Sequence, residues 1–275
     1  MNEKKNEVNV GVFIPARNEE KIIFNTIQAL LRQKLKPKKI IVVNDGSHDK
    51  THTIAISLGC EVIDLSFDGI EGLDNVKMSN VYNIGLNKLN EGFDYILELG
   101  ADHILPQNYI SDIVQEMENN KKLAIASGII ENEEHDNEIP RGSGRIIKSS
   151  FYKKIGMNWP KKLGAESFFV YEALRLGYQT KVFQINTQAR KTGTHYNSNT
   201  FVNLGKASKA LGYFSLYAFG AFLKKALFYK NIKVLIYCLQ GWFSSDVEKY
   251  NKELREFVKE YQKKKIIRII KRRSN

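Results

Sequence analysis

The chain has 275 residues, of which 43% are hydrophobic and 26% charged, a composition typical of a globular protein. This length suits one large α/β domain with an appendage, or two small domains, and no uncharged apolar stretch reaches the roughly 18 residues of a membrane-spanning helix. The formal net charge of +12 suggests an anionic partner, but the absence of a recognisable reading motif disfavours nucleic acid.

The two cysteines and the N-terminus bear on the cellular compartment. Cys60 and Cys238 lie far apart in apolar surroundings and form no metal-binding or redox spacing, so both are predicted to be buried thiols. The polar first residues, Met1 to Glu7, do not resemble a secretory signal. A reducing cytoplasm fits both observations.

The first part of the chain alternates between apolar runs of strand length and segments with helical spacing. The predicted strands are Val8–Pro15, Lys39–Val43 and Glu61–Ser66, and the predicted helices run from about Ile22 to Leu31 and from about Asp49 to Gly59. Two successive strand-helix-strand units predict a parallel sheet with helices on both faces.

The same alternation continues to about residue 200. Further strands are predicted at Tyr95–Leu99, Leu123–Ile130 and Thr180–Ile185, and further helices at Lys77–Asn90, Gln107–Glu118, Arg145–Lys154 and Ser167–Leu176. The polar stretch Glu131–Ser143 is predicted to be a mobile surface loop. The expected fold class is α/β, with a mostly parallel sheet flanked by helices over residues 1–200.

Residues 201–275 have a different character and are predicted to form a C-terminal helical extension. Two apolar and aromatic runs, Leu211–Leu223 and Ile232–Phe243, are too short to span a bilayer but suit its headgroup region. After Glu260 the chain carries seven Lys or Arg residues and no acid. The extension is therefore either a membrane-binding surface or an ordinary helical subdomain packed on the α/β domain.

Polar residues follow three of the predicted strands. Pro15 ends the first and leads to Asn18, the cluster from Asn44 to Thr51 follows the second, and Asp102 follows the strand that ends at Leu99. In an open α/β sheet the carboxyl ends of the strands are where ligands bind. The simpler alternative is that Asn18 and Asp102 only cap the helices that follow them.

The region from Ile14 to Thr51 resembles the family 2 inverting glycosyltransferases of the GT-A fold. The matching residues are Ile14-Pro15-Ala16-x-Asn18-Glu19-Glu20, Thr26-Ile27-x-x-Leu30-Leu31-x-Gln33, Pro37 and Ile40-Ile41-Val42-Val43-Asn44-Asp45-Gly46-Ser47-x-Asp49-x-Thr51. A looser match follows at Lys77, Asn83 and Gly85, where Val76 replaces the first glycine of the family's Gly-Lys segment. The resemblance implies a GT-A catalytic domain.

The resemblance also implies a donor site. Ala16, Glu19 and Asp45 would hold the base and ribose of a nucleoside diphosphate sugar, and the same substrate site would include two further residues, Pro15 and Arg17. The diphosphate would be contacted by Lys77 or Arg190.

The family's Asp-x-Asp motif is incomplete in this chain. Gly100 stands at the first position, Asp102 at the second, and His103 follows where many relatives carry another acid. By resemblance, Asp102 is expected to bind Mg²⁺ or Mn²⁺, and His103 is expected to substitute for the missing ligand or to be a satisfied loop histidine.

The later segments resemble a subgroup of the family less closely. Glu166 stands where the subgroup has its catalytic aspartate, so the resemblance implies that Glu166 is the general base, whereas a first-turn acid without a special role is the alternative. Arg190 and Gly193 match the Arg-x-Thr-Gly segment, with Gln188 in place of a histidine ligand. His195 is the nearest possible substitute for that histidine.

These observations lead to one functional expectation with an alternative. The chain is expected to be a peripheral enzyme at the cytoplasmic face of the membrane that transfers a sugar, with inversion, to a lipid-linked or polysaccharide acceptor. Because Gly100 and Gln188 replace expected ligands, the alternative is a catalytically impaired protein that binds nucleotide sugar or glycan.

Overall fold

The computed structural model describes residues 8–66, 75–131, 135–189 and 198–273. The chain divides into two compact units, one formed by Met1–Trp159 with Leu176–Arg190 and the other by Pro160–Arg175 with Lys191–Asn275. The boundary placed after residue 200 from the sequence stays a prediction. In this division the second unit also includes the earlier segment Pro160–Arg175.

An eight-stranded sheet forms the centre of the first unit. The strand order is β3-β2-β1-β4-β7-β6-β8-β5. The strands are β1 (Val10–Ala16), β2 (Lys39–Asp45), β3 (Glu61–Leu65), β4 (Tyr95–Glu98), β5 (His103–Ile104), β6 (Leu123–Ile130), β7 (Arg145–Lys148) and β8 (Gln179–Ala189).

Four of the seven strand pairs are parallel, which confirms the predicted mostly parallel sheet. β1 lies between β2 and β4, with Phe13 opposite Ile41 on one side and Glu98 on the other. The antiparallel pairs all involve β7 or β5. Because β1, β2 and β4 run in one direction, their carboxyl ends share one edge of the sheet.

Helices cover the sheet where the spacing of apolar residues predicts them. They are α1 (Ile23–Leu31), α2 (Thr51–Ser57), α3 (Asn75–Asn87), α4 (Tyr109–Asn119) and α5 (Ser149–Lys154). Ile23, Ile27 and Leu30 of α1 are fully buried, and each such side chain contributes roughly 1.5–3 kcal/mol. α2 ends before Gly59, whose φ of +82° favours glycine and allows the chain to turn into β3.

The prediction of a helix over Arg145–Lys154 is wrong for its first half. Arg145–Lys148 is strand β7, antiparallel to β4 and β6, and the helix begins only at Ser149. Ile146 and Ile147 are adjacent and both fully buried, as in a strand covered on both faces. Sheet pairing with distant strands therefore determines the structure of this segment.

The predicted loop Glu131–Ser143 is also only partly correct. Residues 132–134 lie outside the described residues, while Pro140 and Gly142 are buried. The Ser143 hydroxyl accepts a hydrogen bond from the backbone N–H of Gly100 at 2.8 Å. The C-terminal end of the stretch is thus packed against the sheet.

The second unit is helical, as predicted for the C-terminal extension. Its helices are α6 (Ala165–Arg175), α7 (Ser198–Ala210), α8 (Ser215–Phe228), α9 (Lys233–Phe243) and α10 (Lys252–Arg273). None of the helices in the described ranges combines the length and the apolar character needed to cross a bilayer.

Two glycines let α7 and α9 approach backbone to backbone. A Cβ atom on Gly205 would lie 2.0 Å from the carbonyl oxygen of Cys238, and one on Gly241 would lie 1.9 Å from that of Val202. Both distances are far inside van der Waals contact, so only glycine fits at either crossing point.

Gly241→Ala is expected to lower the free energy of unfolding of the second unit by about 1–3 kcal/mol, because the helices must separate. The matched control is Gly220→Ala in α8, where an added Cβ meets nothing within 4 Å. That change is expected to stabilise the helix by roughly 0.5–1 kcal/mol. Urea unfolding followed by the fluorescence of Trp242, in a Trp159→Phe background, measures both changes in stability. Equal effects of the two substitutions would refute the close crossing of α7 and α9.

Candidate functional site

A cavity of about 550 Å³ lies at the carboxyl ends of β1 and β2 and is bordered by α3. It brings together six residues that the sequence predicted as substrate contacts: Pro15, Ala16, Arg17, Glu19, Asp45 and Lys77. The remaining lining residues are Asn18, Met78, Val81 and Tyr82. We call this cavity the donor pocket.

Asp45 lies between two cations in the donor pocket. Its carboxylate oxygens are 3.6 Å from a guanidinium nitrogen of Arg17 and 3.5 Å from the Lys77 ammonium. The Asp45 and Lys77 side chains are only 15% and 11% exposed, so water screens their charges less than at the surface. Gly46 follows with a φ of +61°, which turns the chain away and leaves the carboxylate at the strand end.

The other polar residues of the Asn44–Thr51 cluster hold the first loop in place. Ser47 Oγ accepts the N–H of Asn18 at 2.9 Å, and Thr51 Oγ1 accepts the N–H of Glu19 at 2.7 Å. Asp49 accepts the N–H of Glu20 at 3.0 Å. These side chains thus satisfy backbone donors of the loop that carries Glu19.

The interactions of Asp49 explain its ionisation. Burial raises the pKa of its carboxyl, but the hydrogen bonds from the Thr51 hydroxyl and from backbone N–H groups outweigh burial and hold the pKa below its usual value. A carboxylate that stays ionised keeps accepting the N–H of Glu20 over the physiological pH range.

Asn18 is not the cap of α1, so the simpler alternative for this residue is wrong. The helix begins at Ile23 with Ile22 at the cap position. Asn18 has a φ of +53°, and its side-chain oxygen accepts the N–H of His48 at 2.9 Å. It therefore joins the two loops of the donor pocket.

An aromatic wall supports the side of the donor pocket formed by α3. The Tyr82 ring lies 4.1 Å from the Trp159 ring and 5.3 Å from the Phe13 ring, between centroids. Asn83 accepts the N–H of Trp159 at 2.6 Å and donates to its carbonyl at 3.2 Å. Tyr82 and Trp159 were not predicted as site residues, because neither belongs to a motif.

Asp102 follows β4 in a turn at the same edge of the sheet, but it is not among the described residues that line the donor pocket. Thr26 donates to the carbonyl of Ala101 at 2.7 Å and ties this turn to α1. α4 begins at Tyr109 with Asn108 at its cap position, so Asp102 does not cap that helix. Burial raises the pKa of the Asp102 carboxyl.

The residues present fit a divalent cation that takes one protein carboxylate. The described residues contain no group of three or more His, Cys, Asp or Glu side chains that could enclose a metal ion. Asp102 nevertheless supplies a hard oxygen ligand, and Mg²⁺ is commonly bound through one or two carboxylates, substrate phosphates and water. The partly desolvated Asp102 suits such a site because a nearby cation would favour its ionised form.

His103 is placed differently from the expectation that it ligates the metal. The ring is only 2% exposed, and its nitrogens lie 2.7 Å from Ser143 Oγ and 2.7 Å from Thr187 Oγ1. Burial, with a contribution from Arg141, lowers the pKa of His103 to about 4. Because both nitrogens have hydroxyl partners inside the protein, the alternative of a satisfied histidine describes His103 correctly.

A buried ionic cluster lies at the end of β4, just before the turn that carries Asp102, and the sequence did not predict it. Glu98 at the end of β4 pairs with Arg145 of β7 at 2.6 Å, with side chains 1% and 0% exposed. The Tyr152 hydroxyl donates to the other oxygen of Glu98. The Arg145 guanidinium lies 5.7 Å from the centroid of the Trp159 ring, so this cluster also supports the aromatic wall.

The remaining predicted site residues are not among the described residues that line the donor pocket. Glu166 is exposed in the first turn of α6, which belongs to the second unit. Gln188 is exposed near the end of β8. Arg190 and His195 fall outside the described residues, so their predicted roles stay predictions.

Comparisons with known proteins agree with the resemblance seen in the motifs. The family model "Glycosyl transferase family 2" matches residues 11–175. A 4,4'-diaponeurosporenoate glycosyltransferase of Staphylococcus aureus (strain USA300) is 44% identical over 57 residues, which is 21% of this chain and 15% of that protein. The protein of the same name from the bovine strain RF122 / ET3-1 is 41% identical over 63 residues, 23% of this chain and 16% of its own length.

Solved glycosyltransferase structures show the same fold. Residues 1–349 of S. aureus TarS align with a TM-score of 0.55 and 16% identity, over 73% of this chain and 64% of that one. A mannosyltransferase from Pyrobaculum calidifontis, solved with GDP-Man and Mn²⁺, aligns with a TM-score of 0.59 and 13% identity. The alignment covers 86% of this chain and 74% of that one. The expected GT-A fold is thus confirmed.

The family model covers well over half of the chain, and the match includes every described residue that lines the donor pocket. On this basis the chain belongs to glycosyl transferase family 2.

Proposed function

We propose that this chain is an inverting glycosyltransferase that takes its sugar from a nucleoside diphosphate sugar bound in the donor pocket. The observation that carries the proposal is the Asp45 carboxylate held between Arg17 and Lys77 at the carboxyl ends of two parallel strands. A carboxylate there accepts the N–H of a nucleobase, and the positive charges of Arg17 and Lys77 would attract a diphosphate. Family membership supports this assignment.

The solved relatives support the same class of donor. TarS was crystallised with UDP and with UDP-GlcNAc, and the P. calidifontis mannosyltransferase with GDP-Man and Mn²⁺. The donor pocket offers Asp45 and Glu19 as acceptors for base and ribose and Tyr82 as an apolar face. Asp102 would hold Mg²⁺ or Mn²⁺, which would neutralise charge on the departing diphosphate when bound.

The transfer requires one proton acceptor from the protein. The acceptor hydroxyl attacks the anomeric carbon, the bond to the diphosphate oxygen breaks with its electron pair, and the nucleoside diphosphate leaves. Glu166 takes the hydroxyl proton, which makes attack from the face opposite the leaving group feasible and inverts the anomeric centre. A lipid-linked or polysaccharide hydroxyl is the proposed acceptor.

The donor class is tested by a thermal shift screen of uridine, guanosine and thymidine diphosphate sugars with Mn²⁺. The true donor at 100 times its dissociation constant is expected to stabilise the protein by about 2.7 kcal/mol. Asp45→Asn is expected to abolish that shift, while Asp112→Asn on α4 is expected to retain it. Equal shifts for all three proteins, or none with any donor, would contradict the proposal.

The helical unit is proposed to bind an anionic membrane surface. Leu216, Leu227 and Ile232 are 62%, 69% and 64% exposed, and further exposed apolar side chains lie on α8 and α9. No Asp or Glu occurs from residue 191 to residue 245 of this unit, whereas this stretch contains seven Lys residues. Exposed apolar side chains on a stretch with a large excess of basic over acidic residues suit anionic lipid headgroups.

Flotation with phosphatidylglycerol vesicles tests the membrane proposal. The protein is expected to float with these vesicles and to float less with phosphatidylcholine alone. Replacing Leu216, Leu227 and Ile232 with serine should release it, whereas Phe24→Ser with Ile56→Ser, which changes exposed apolar residues of the first unit, should not. Protein that stays at the bottom with both lipids would contradict the proposal.

A further inference from the structure

We propose that Ser143, His103 and Thr187 are positioning residues for Asp102. Their side chains form a continuous chain of hydrogen bonds that fixes the turn from Gly100 to His103. We call this arrangement the hydroxyl-imidazole chain. The inference rests on the proposed function, since it concerns the turn that would present a carboxylate to the metal and diphosphate.

Each side chain in the hydroxyl-imidazole chain can be assigned as a hydrogen-bond donor or acceptor from its neighbours. Thr187 Oγ1 donates its proton to the carbonyl of Ile129 at 2.9 Å, so it must accept from His103 Nε2. His103 Nδ1 is then an acceptor and receives the Ser143 hydroxyl proton. Ser143 Oγ in turn accepts the N–H of Gly100, so every member is satisfied with a neutral imidazole.

The surroundings keep the imidazole in this orientation. Gly144 has a φ of +82°, and a Cβ atom there would lie 2.8 Å from His103 Cε1, so the ring packs directly on the glycine. The Tyr109 hydroxyl donates to the carbonyl of Gly144 at 2.6 Å. β5, which begins at His103, pairs with the end of β8. Rotation of the ring would break contacts on three sides.

The hydroxyl-imidazole chain connects the two departures from the Asp-x-Asp motif. A Cβ atom on Gly100 would lie 3.1 Å from Ser143 Oγ and 3.2 Å from Asp102 Oδ1, so a first carboxylate would crowd both groups. His103 holds Ser143, and Ser143 holds the backbone at Gly100. Gly100 and His103 are therefore parts of a single arrangement, which holds a turn in which Asp102 supplies the carboxylate.

The test compares metal binding with nucleotide binding in matched variants. The free Mn²⁺ concentration is measured by electron paramagnetic resonance in the presence of UDP or GDP, whichever stabilises the wild-type protein. Binding of the same nucleotide without metal is measured by calorimetry. Thr187→Val removes the hydroxyl and keeps the shape, whereas Thr187→Ser keeps the hydroxyl; Ser143→Ala removes the other hydroxyl.

Thr187→Val and Ser143→Ala are expected to weaken Mn²⁺ binding about tenfold or more, as is usual when groups that orient a metal ligand are lost. Thr187→Ser is expected to stay within about twofold of the wild type, and metal-free nucleotide binding should be unchanged in all three. Gly100→Asp should also weaken Mn²⁺ binding because of crowding.

Two results would overturn the inference. One is a Thr187→Val protein whose melting temperature falls while its Mn²⁺ affinity equals that of Thr187→Ser, since that outcome describes a purely structural role. The other is tighter Mn²⁺ binding by Gly100→Asp. Failure of the proposed function looks different, because the wild-type protein itself would then bind neither nucleotide.

Discussion

Arg145→Met is expected to destabilise the first unit by about 3–5 kcal/mol, because it leaves the Glu98 carboxylate buried without its cation. Neither side chain of the pair is accessible to water, since that of Arg145 is 0% exposed and that of Glu98 is 1% exposed. Burial, and then the nearby charge of Glu98, raises the pKa of Tyr152 far above its usual value, so its hydroxyl remains a donor to Glu98 but cannot replace a positive charge.

Urea unfolding followed by Trp159 fluorescence, in a Trp242→Phe background, measures this loss in the first unit alone. The double variant Glu98→Gln with Arg145→Met should recover part of the lost free energy, since neither charge is then stranded. Lys252→Met serves as the surface control, because its partner Glu256 lies 3.8 Å away and both side chains are exposed. A loss below about 1 kcal/mol for Arg145→Met would contradict the role assigned to the pair.

Glu166→Gln is expected to reduce sugar transfer by about 10²–10⁴-fold, the range that general bases contribute. The amide keeps the shape of the side chain but cannot take the acceptor proton. Donor binding should be unchanged, because Glu166 is not among the described residues of the donor pocket. Single-turnover transfer with the donor identified by the thermal shift screen measures the chemical step directly.

The control for this change is Glu256→Gln, which removes an exposed carboxylate from α10 of the same unit. It should leave both transfer and donor binding as in the wild type. Undiminished transfer by Glu166→Gln would show that another group is the base. Equal loss in both variants would point to a general charge effect instead.

The sequence predicted most of the sheet because its strands are encoded locally. Strands β1 and β2 each contain an apolar run, which in β2 is Ile40–Val43, and the polar loops that follow mark where the strands end. The segment Arg145–Lys148 was mispredicted because its helical spacing continues into α5. Only pairing with β4 and β6, which are distant in sequence, makes it a strand.

The candidate site was predictable to the extent that its residues lie in contiguous motifs. Asp45 and Glu19 were found because the two loops that carry them match the family over about 40 residues. The orientation of His103 was not predictable, since its partners Ser143 and Thr187 are 40 and 84 residues away. The aromatic wall was not predictable either, because Trp159 and Tyr82 are distant in sequence and come into contact only in the folded chain.

The motif residues also divide between two tasks that sequence alone does not separate. Asp45 faces the donor pocket, whereas Ser47, Asp49 and Thr51 accept backbone N–H groups of the neighbouring loop. Each of these hydrogen bonds contributes roughly 0.5–1.5 kcal/mol. The motif therefore specifies the shape of the pocket as much as its ligand contacts.

The most direct test of the central claim is a calorimetric titration of the wild-type protein and of Asp45→Ala with the nucleotide sugar selected by the thermal shift screen, in the presence of Mn²⁺. Saturable binding with a stoichiometry near one is expected for the wild type, and a loss of at least about 1.5–3 kcal/mol in binding free energy is expected for Asp45→Ala. Wild-type binding that is unaffected by this change would show that the donor site lies elsewhere.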